Sequence, residues 1–407
     1  MGRYVGLLGI VAILALAILI STNRKAINLR IVGAAFALQA AIAVFVIYSD
    51  VGQAIILRMS SGVQNVMNYS REGIEFIFGG LATEPTLFSF AINVLPVIIF
   101  FSALMSVLYH IGVMQFFVRI IGGALRWVIG TRPVESMNAA ANIFIGQTEA
   151  PLVVRPYLPR LTDAQMFTVM VSGVASVAGT VLIAYSQMGA ELRYLLAASF
   201  MAAPGGLLMA KLIMPDEDDS SGASEGQSLR MGKSGHENVF LAAAVGASDG
   251  LRLAVNIGGM LIAFVALIAL FNGIVGGVAG WFGHGDLTLQ SILGWLFAPV
   301  MYLTSVPWAE AKAAGALFGE KLILNEFVAY SNLDAYLAGA SERTRAIVTF
   351  ALCGFANVSS IAILLGGLGG LVPEKKELIA RLGVRAVAAG SLSNLMSATL
   401  AGLLLTV

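Results

Sequence analysis

Residues 141–151 read ANIFIGQTEAP, and the polar run in this stretch indicates how the whole chain is organised. A glutamine, a threonine and a glutamate interrupt apolar sequence that resumes after Pro151. In hydrocarbon such a break is tolerated only where it is buried in protein or lines a watery cavity. Because Gly146 and Pro151 both interrupt helices, two helix ends are predicted to meet here. The stretch predicts a binding site built from broken helices, with Glu149 as a functional residue.

The composition is typical of a polytopic membrane protein. Of the 407 residues, 58% are hydrophobic and only 12% are charged, whereas soluble domains carry about 25% charged residues. The 24 basic and 23 acidic residues nearly balance, so net charge gives no case for a nucleic-acid partner. The single cysteine, Cys353, excludes an internal disulfide and a multi-cysteine metal site. No motif indicates an organic cofactor, because the glycines of residues 366–370 lack dinucleotide spacing.

Eight apolar runs are long enough to span a bilayer, which takes about 20 residues. They cover residues 4–22, 29–49, 87–109, 164–187, 193–213, 252–280, 345–370 and 384–407. Residues 51–68 mix apolar and polar positions at near-helical spacing and are predicted to form an interfacial helix. Basic residues at 24, 25, 30, 375, 376, 381 and 385 place the first and last loops in the cytoplasm. Both termini are therefore predicted to lie outside.

Two further regions do not read as simple spans. Residues 112–162 contain the opening stretch between apolar arms too short to cross and return, and residues 286–330 have a similar pattern. Both are predicted to be re-entrant helical hairpins that enter from opposite sides, each followed by two spans. This layout is the inverted repeat of secondary transporters, with the site where the two hairpin tips meet. The fold class is thus all-α, with eight transmembrane helices and two opposed hairpins.

The predicted chain has four parts. Residues 1–111 supply scaffold helices and the interfacial helix, and residues 112–214 form the first transport repeat. Residues 215–285 hold an inner loop, a second interfacial helix and a central scaffold span, and residues 286–407 form the second transport repeat. The loop at 215–237 is acidic and rich in Gly and Ser, so it is predicted to be a mobile linker. With a helix at about 239–251, it is expected to connect a moving transport domain.

Four clusters of polar residues are predicted at membrane depth. They are Asn142 with Gln147, Thr148 and Glu149; Ser172 with Ser176 and Thr180; Asn325 with Glu326; and Asn357 with Ser359 and Ser360. Amides, hydroxyls and carboxylates together can bind a small neutral solute rich in hydroxyl groups. An anionic substrate would be expected to need a basic residue at this depth, and none is assigned there in either hairpin.

Other roles for these residues stay open. Serine and threonine in spans often join helices, and amides near breaks can cap backbone groups. An intramembrane enzyme could use Glu149 and Glu326 as an acid and base, although the sequence shows no nucleophile or metal setting. A passive pore is a further alternative, but it does not explain two opposed hairpins.

Four segments resemble the concentrative nucleoside transporters. GEKLILNEFVAY at residues 319–330 resembles the family signature G-x-K-x-x-x-N-E-F-V-A, and the other three are GQTEAP at 146–151, GFANVSSIAI at 354–363 and LPVIIFFSALMSVLYHIG at 95–112. The resemblance runs over the whole chain, in the short bacterial form. It implies a homotrimer in the lipid of the bacterial inner membrane, in which scaffold helices hold a transport domain that moves as an elevator.

The resemblance also implies a role for individual residues. The base-binding positions are Gly146, Gln147, Thr148 and Glu149, with Val181 and Phe355 as apolar walls. The ribose-binding positions are Glu326, Asn357 and Ser360. The sodium ligands are Asn142, Ser176 and, through their backbone carbonyls, Ile145 and Val177.

The predicted function is sodium-coupled import of nucleosides by symport. Carbonyl and hydroxyl oxygens suit a hard cation, and neither Asn142 nor Ser176 has a proton that titrates near neutral pH. Sodium is therefore favoured as the co-transported ion, with one ion per nucleoside expected, while proton coupling is the alternative. Gln147 and Thr148 can pair with pyrimidines or purines, so base selectivity stays open.

Overall fold

The computed structural model describes residues 5–83, 89–216 and 236–405. Every regular element in these ranges is helical and none is a strand, so the all-α class is confirmed for the described part of the chain. Most of the inner loop predicted at 215–237 lies outside the described residues.

Six helices form the N-terminal part of the described chain. They are α1 (Val5–Leu19), α2 (Leu29–Ala43), α3 (Asp50–Phe78), α4 (Gly80–Thr83), α5 (Phe90–Asn93) and α6 (Leu95–His110). A π-helical turn at Val44–Tyr48 extends α2. The Asn28 side chain accepts hydrogen bonds from the backbone of Arg30 and Ile31, which fixes the start of α2. The interfacial helix predicted at 51–68 is longer than expected, because α3 continues to Phe78 with one buried face.

The remaining helices form two series of similar order on either side of α13 (Val239–Gly280). The first series is α7 (Val113–Ile129), α8 (Pro133–Ala141), α9 (Ala150–Val153), α10 (Asp163–Ala175), α11 (Gly179–Gln187) and α12 (Leu192–Ile213). The second is α14 (Leu289–Leu303), α15 (Trp308–Ile323), α16 (Glu326–Ser331), α17 (Leu333–Tyr336), α18 (Glu342–Leu352), α19 (Ser359–Gly366), α20 (Leu368–Leu371) and α21 (Lys376–Leu404). Short 3₁₀ turns occur at Arg24–Ala26, Arg155–Arg160 and Pro373–Lys375. Each series begins with two helices that pack on each other, α7 and α8 or α14 and α15. Short helices and an interrupted helix follow, and each series ends in a long helix, α12 or α21.

Six helical segments of the described chain are long and apolar enough to cross a membrane. They are Leu29–Tyr48, Phe90–His110, Asp163–Gln187, Leu192–Ile213, Val239–Gly280 and Pro373–Leu404. The pair α14 and α15, bent by 116° at its break, raises the number to seven if it is one span. Of the eight predicted spans, the first corresponds to the shorter helix α1, and the one at 345–370 is divided between α18 and α19–α20.

Two of the predicted spans contain a break. The span at 164–187 is interrupted after Ala175 but is still long and apolar enough to cross a membrane, as Asp163–Gln187, and the one at 345–370 is interrupted after Leu352. One expectation about helix continuity is wrong. The separate helix predicted at about 239–251 is instead the first part of α13. Its continuity has a packing cause, since Gly246 and Gly250 lie directly against α6, where an added Cβ would approach the Cβ atoms of two serines at 2.6 and 2.7 Å.

The helices pack in two groups. α6 and α13 lie along each other, joined by the Ser106 hydroxyl, which donates to the Ala242 carbonyl at 2.7 Å. The second group surrounds α10, α12 and α21, and α1 and α2 pack onto α21 and α12 in this group. The packing thus places the first two helices with the two series and α6 with α13.

A buried ion pair joins the end of α12 to the start of α8. The Lys211 ammonium lies 2.5 Å from Glu135 and 2.7 Å from Asp216. The Lys211 side chain is 3% exposed and that of Glu135 is 0% exposed. Glu135 also accepts a hydrogen bond from the Arg132 backbone at 3.1 Å, which completes the N-terminal cap of α8. The orientation of α8, and of the polar tip that follows it, therefore depends on this pair.

Lys211→Met is expected to destabilise the protein by about 3–5 kcal/mol, because it leaves the Glu135 carboxylate buried without a counter-charge. The double variant Lys211→Met/Glu135→Gln should recover most of this loss, since glutamine can still accept from Arg132. The thermal unfolding midpoint of the detergent-solubilised protein is the measurement.

The exposed pair of Arg381 and Asp163, 3.3 Å apart with side chains 70% and 52% exposed, provides the control. Arg381→Gln should cost less than about 1 kcal/mol. Equal losses of the midpoint for Lys211→Met and Arg381→Gln would contradict the role given to the buried pair.

Candidate functional site

The four polar clusters of the sequence lie at or beside four helix interruptions. The interruptions are residues 142–149 after α8, 176–178 after α10, 324–325 after α15 and 353–358 after α18. Asn142, Ser176, Glu326 and Asn357 are all buried at these points. The structure therefore supports the expectation that broken helices, rather than continuous spans, carry the polar residues.

Backbone hydrogen bonds tie the interruptions to one another. The Gly179 amide donates to the Phe144 carbonyl at 2.9 Å, and the Phe355 amide donates to the Ser176 carbonyl at 3.1 Å. The Val358 amide donates to the Leu322 carbonyl at 3.0 Å. Helix ends leave backbone groups without intrahelical partners, and here the ends partner one another across the interior.

The predicted ribose-binding residues come together around the Glu326 carboxylate. One of its oxygens accepts from the Asn357 amide at 2.7 Å, and the other accepts from the Tyr185 hydroxyl at 3.0 Å. The side-chain oxygen of Asn357 in turn accepts from the backbone amide of Ser360 at 2.8 Å. Glu326, Asn357 and Ser360 thus form one connected group, as the resemblance implies.

Sequence reasoning missed Tyr185, the third member of this group. Its ring is fully buried, stacks on Tyr330 with centroids 4.3 Å apart and meets Phe327 edge-on at 4.9 Å. A buried tyrosine needs a partner for its hydroxyl, and that requirement was the available signal. The stacked rings hold the hydroxyl in place on Glu326.

The predicted base-binding residues are only partly joined to the ribose group. The Gln147 amide donates to the Ser360 hydroxyl at 3.4 Å, and its carbonyl oxygen has no donor among the described residues. Gly173 gives Gln147 room, because an added Cβ would lie 2.9 Å from the glutamine Cβ. Val181 is buried and Phe355 is half-buried.

The hairpin tip also carries Gly146, Thr148 and Glu149. Thr148 packs on Gly367, where an added Cβ would approach its methyl group at 2.6 Å. The Glu149 side chain is exposed and accepts from the Gly146 amide at 3.4 Å. This is a bond within its own tip, so Glu149 is not joined to the Glu326 group.

The predicted sodium ligands lie on two adjoining interruptions. Asn142 is 1% exposed, its amide donates to the Asn138 carbonyl at 2.9 Å, and its side-chain oxygen has no donor among the described residues. The Ser176 hydroxyl donates to the Ser172 carbonyl at 3.0 Å, which leaves its oxygen available as an acceptor. Ile145 and Val177 lie outside any helix in the same two segments.

This donor set fits a hard cation. A buried acceptor without a donor is uncommon, and a monovalent cation bound by amide, hydroxyl and backbone oxygens would satisfy the free Asn142 oxygen. Asn138, one turn earlier on α8, has a second free side-chain oxygen that sequence reasoning missed. Among the described residues, no group of three His, Cys, Asp or Glu could hold a metal ion.

One expectation about the site is wrong, because the second hairpin region does contain a deeply buried basic residue. Lys321 of α15 is fully buried, and its ammonium donates to the Asn394 side-chain oxygen at 2.7 Å and to the Ala351 carbonyl at 2.8 Å. In the sequence, Lys321 directly follows Glu320, and such a charged pair is typical of a solvated helix end.

Comparison with known proteins identifies the family. Models described as the N-terminus of the Na⁺ dependent nucleoside transporter, nucleoside recognition, and the C-terminus of the Na⁺ dependent nucleoside transporter match residues 8–81, 91–192 and 194–402. An uncharacterized transporter of Haemophilus influenzae is 53% identical over 405 residues, covering 98% of this chain and 96% of that protein. Nucleoside permease NupC of Helicobacter pylori is 47% identical over 406 residues, covering 97% of this chain and 96% of that protein.

A solved structure agrees over the same length. CNTnw in an inward-facing substrate-bound state matches with a TM-score of 0.94 at 52% identity, covering 99% of this chain and 98% of that one. Fold, site and matches together define a multi-pass membrane transporter. The chain belongs to the Na⁺ dependent nucleoside transporter family.

Tyr185→Phe is expected to weaken uridine binding about 10- to 100-fold, because a hydrogen bond to a charged group contributes roughly 1.5–3 kcal/mol. The protein should stay folded, since the phenylalanine ring keeps the stacking on Tyr330. The measurement is the uridine dissociation constant of the purified protein, with the thermal midpoint recorded alongside.

Tyr194→Phe is the matched control, because this ring lies over Arg193 at 4.6 Å and outside the Glu326 group. It should leave the dissociation constant unchanged. A wild-type dissociation constant for Tyr185→Phe would contradict the role expected for Tyr185 in uridine binding.

Proposed function

We propose that this protein imports nucleosides together with sodium by secondary active symport. The observation that carries the proposal is the meeting of four helix interruptions around Glu326, Asn357 and Gln147, beside a free buried oxygen of Asn142. Such convergence of broken helices at one place is typical of secondary transporters.

The proposed nucleoside contacts follow from the hydrogen-bonding groups. Ribose offers adjacent hydroxyl donors, and a carboxylate such as Glu326 accepts them in charge-assisted bonds. Gln147, with one amide already bonded to Ser360, has an oxygen left to accept from a base edge. Thr148, Glu149, Val181 and Phe355 complete the proposed base pocket, in which Glu149 turns toward the base when substrate is bound.

Sodium is proposed to bind Asn142, Ile145, Ser176 and Val177. The support is the free Asn142 oxygen together with the Gly179–Phe144 hydrogen bond, which holds the two ligand segments side by side. Neither side chain in this set can carry a proton near neutral pH. Proton coupling is therefore the second choice.

Transport is proposed to follow an elevator mechanism in a homotrimer of the bacterial inner membrane. The two packing groups support this division, with α6 and α13 in the static part and the helices of the two series in the moving part. In this proposal residues 112–162 and 286–330 form the opposed re-entrant hairpins of an inverted repeat. Eight membrane crossings in contact with lipid then leave both termini outside.

Uridine uptake into proteoliposomes is expected to follow an imposed sodium gradient and to ignore a pH gradient. Asn142→Ala and Ser176→Ala should raise the half-saturating sodium concentration about 10-fold or more, since each removes an oxygen ligand. Uptake without accumulation would favour a pore, and no uptake of uridine would favour an intramembrane enzyme using Glu149 and Glu326.

Ser186→Ala is the control for Ser176→Ala. Ser186 lies on α11, and its hydroxyl donates to the Ile183 carbonyl at 2.7 Å, outside the proposed ligand set. This variant should keep the wild-type sodium dependence. Uptake that follows the pH gradient and tolerates both ligand substitutions would transfer the coupling to protons.

Linking the two packing groups is expected to stop uptake while sparing uridine binding. Val97 of α6 and Ile183 of α11 belong to one buried cluster that bridges the groups. Cysteines at both positions, joined by mercuric ion, should lock the moving part in place.

Cysteines at Ser106 and Ala242 join α6 to α13 within the proposed static part, and this link should leave uptake intact. The native Cys353 is present in both double variants, so its own reaction with mercury is controlled. Normal uptake by the linked Val97–Ile183 variant would point to local gating rather than an elevator.

A further inference from the structure

Asn394 of α21 bridges two of the helix interruptions, the one at 176–178 after α10 and the one at 353–358 after α18. Its amide nitrogen donates to the Ala175 carbonyl at 2.7 Å and to the Cys353 carbonyl at 3.0 Å. Ala175 is the last residue of α10, next to the proposed sodium ligand Ser176, and Cys353 caps the end of α18, four residues before the proposed ribose ligand Asn357. A single side chain thus holds both interruptions.

Lys321 fixes the orientation of the Asn394 amide. The Asn394 oxygen accepts from the Lys321 ammonium at 2.7 Å, and a lysine side chain can only donate. A flipped amide would point its NH₂ group at the ammonium and its oxygen at two carbonyl oxygens. The ammonium also donates to the Ala351 carbonyl at 2.8 Å, where a cation is favoured by the carbonyl-rich end of α18.

The surrounding backbone is shaped to admit the Asn394 side chain. A Cβ added at Gly354 would collide with the Asn394 amide, so this position in the interruption at 353–358 has room only for glycine. One turn earlier on α21, Gly390 lies against α10 and the interruption at 353–358, where an added Cβ would approach Val174 at 2.8 Å and Ala356 at 3.1 Å. Asn394 is 2% exposed, and its side chain makes three hydrogen bonds, with Lys321, Ala175 and Cys353.

We propose that Asn394, oriented by Lys321, is the positioning residue that couples the sodium site to the nucleoside site. The proposal rests on the sodium symport function proposed above. Sodium orders the segment around Ser176, and Asn394 transmits that order to the segment around Asn357. The Phe355–Ser176 backbone bond runs in parallel, so Asn394 adds to a direct link between the same segments.

This coupling has a defined observable. If sodium raises the affinity for uridine by some factor, uridine raises the affinity for sodium by the same factor, and such factors are typically about 5- to 150-fold. The factor is the uridine dissociation constant in choline chloride divided by that in sodium chloride. A residue that only stabilises the fold changes both constants together and leaves their ratio unchanged.

Asn394→Asp is the sharpest variant. It keeps the size of the side chain and an acceptor for Lys321, but it replaces the amide that donates to Ala175 and Cys353 by an oxygen. In the purified full-length protein, the wild type should give a ratio of about 10 or more, and Asn394→Asp should bring it close to one. Lys321→Met, which frees the amide to flip, should give a ratio between these two, and it serves as the test if Asn394→Asp does not fold.

Ser397→Ala is the matched control on the same helix. Ser397 is buried near Asn394, but its hydroxyl accepts from Gln39 of α2 at 3.0 Å instead of contacting the interruptions. This variant should lower the thermal midpoint and keep the wild-type ratio.

Two results would overturn the proposal, and they are distinguishable. A wild-type ratio in folded Asn394→Asp or Lys321→Met protein assigns these residues to stability alone, and the sodium symport proposal stands. A wild-type protein whose uridine affinity does not depend on sodium overturns sodium coupling itself, and the role of Asn394 falls with it.

Discussion

The structure depends on one constraint, which is that backbone groups exposed at a helix interruption must find partners inside the protein. A bilayer core offers no water to replace a lost intrahelical hydrogen bond. In the part of the chain that the structure describes, four interruptions carry the polar clusters, and their ends pair with one another, as in the bonds from Gly179 to Phe144 and from Phe355 to Ser176. Because the backbone groups of one interruption bond to those of another, the four interruptions lie together in the interior. The polar side chains that they carry are brought together by the same backbone bonds.

The sequence predicts the parts of this arrangement that have a local cause. Polar residues between Gly146 and Pro151 mark the first interruption, and the Asn325–Glu326 pair marks the third, because such groups have no place in an apolar helix. The ribose-binding role of Glu326, Asn357 and Ser360 is what the resemblance implies, and the structure joins these three polar residues in one hydrogen-bonded group. Long apolar runs such as Leu192–Ile213 are found where composition alone puts them.

The parts that escape prediction have tertiary causes. Residues 176–178 contain no proline, and the interruption exists because the Gly179 amide bonds to Phe144, 35 positions earlier, instead of to its own helix. Helix α13 continues through Gly246 and Gly250 because these glycines fit against α6. Lys321 looks like a surface residue until its acceptors, 30 and 73 positions away, are known. Partners so distant in sequence cannot be predicted from the local spacing of residues.

The hydrogen-bonding groups of the candidate site are unevenly divided between donors and acceptors. Among the described residues, three buried side-chain oxygens around the first interruption have no donor, those of Asn138, Asn142 and Gln147, while the one comparable unpaired donor at the interruptions is the Asn325 amide. Acceptors are therefore in excess, and Glu326 adds a negative charge. Unpaired buried acceptors are costly, and the groups that relieve them are cations and hydroxyl or amide donors. A sodium ion and a nucleoside together supply both kinds, whereas either alone leaves part of the excess unsatisfied. In the proposed symport, this shared excess of acceptors gives a physical reason for sodium and a nucleoside to bind together.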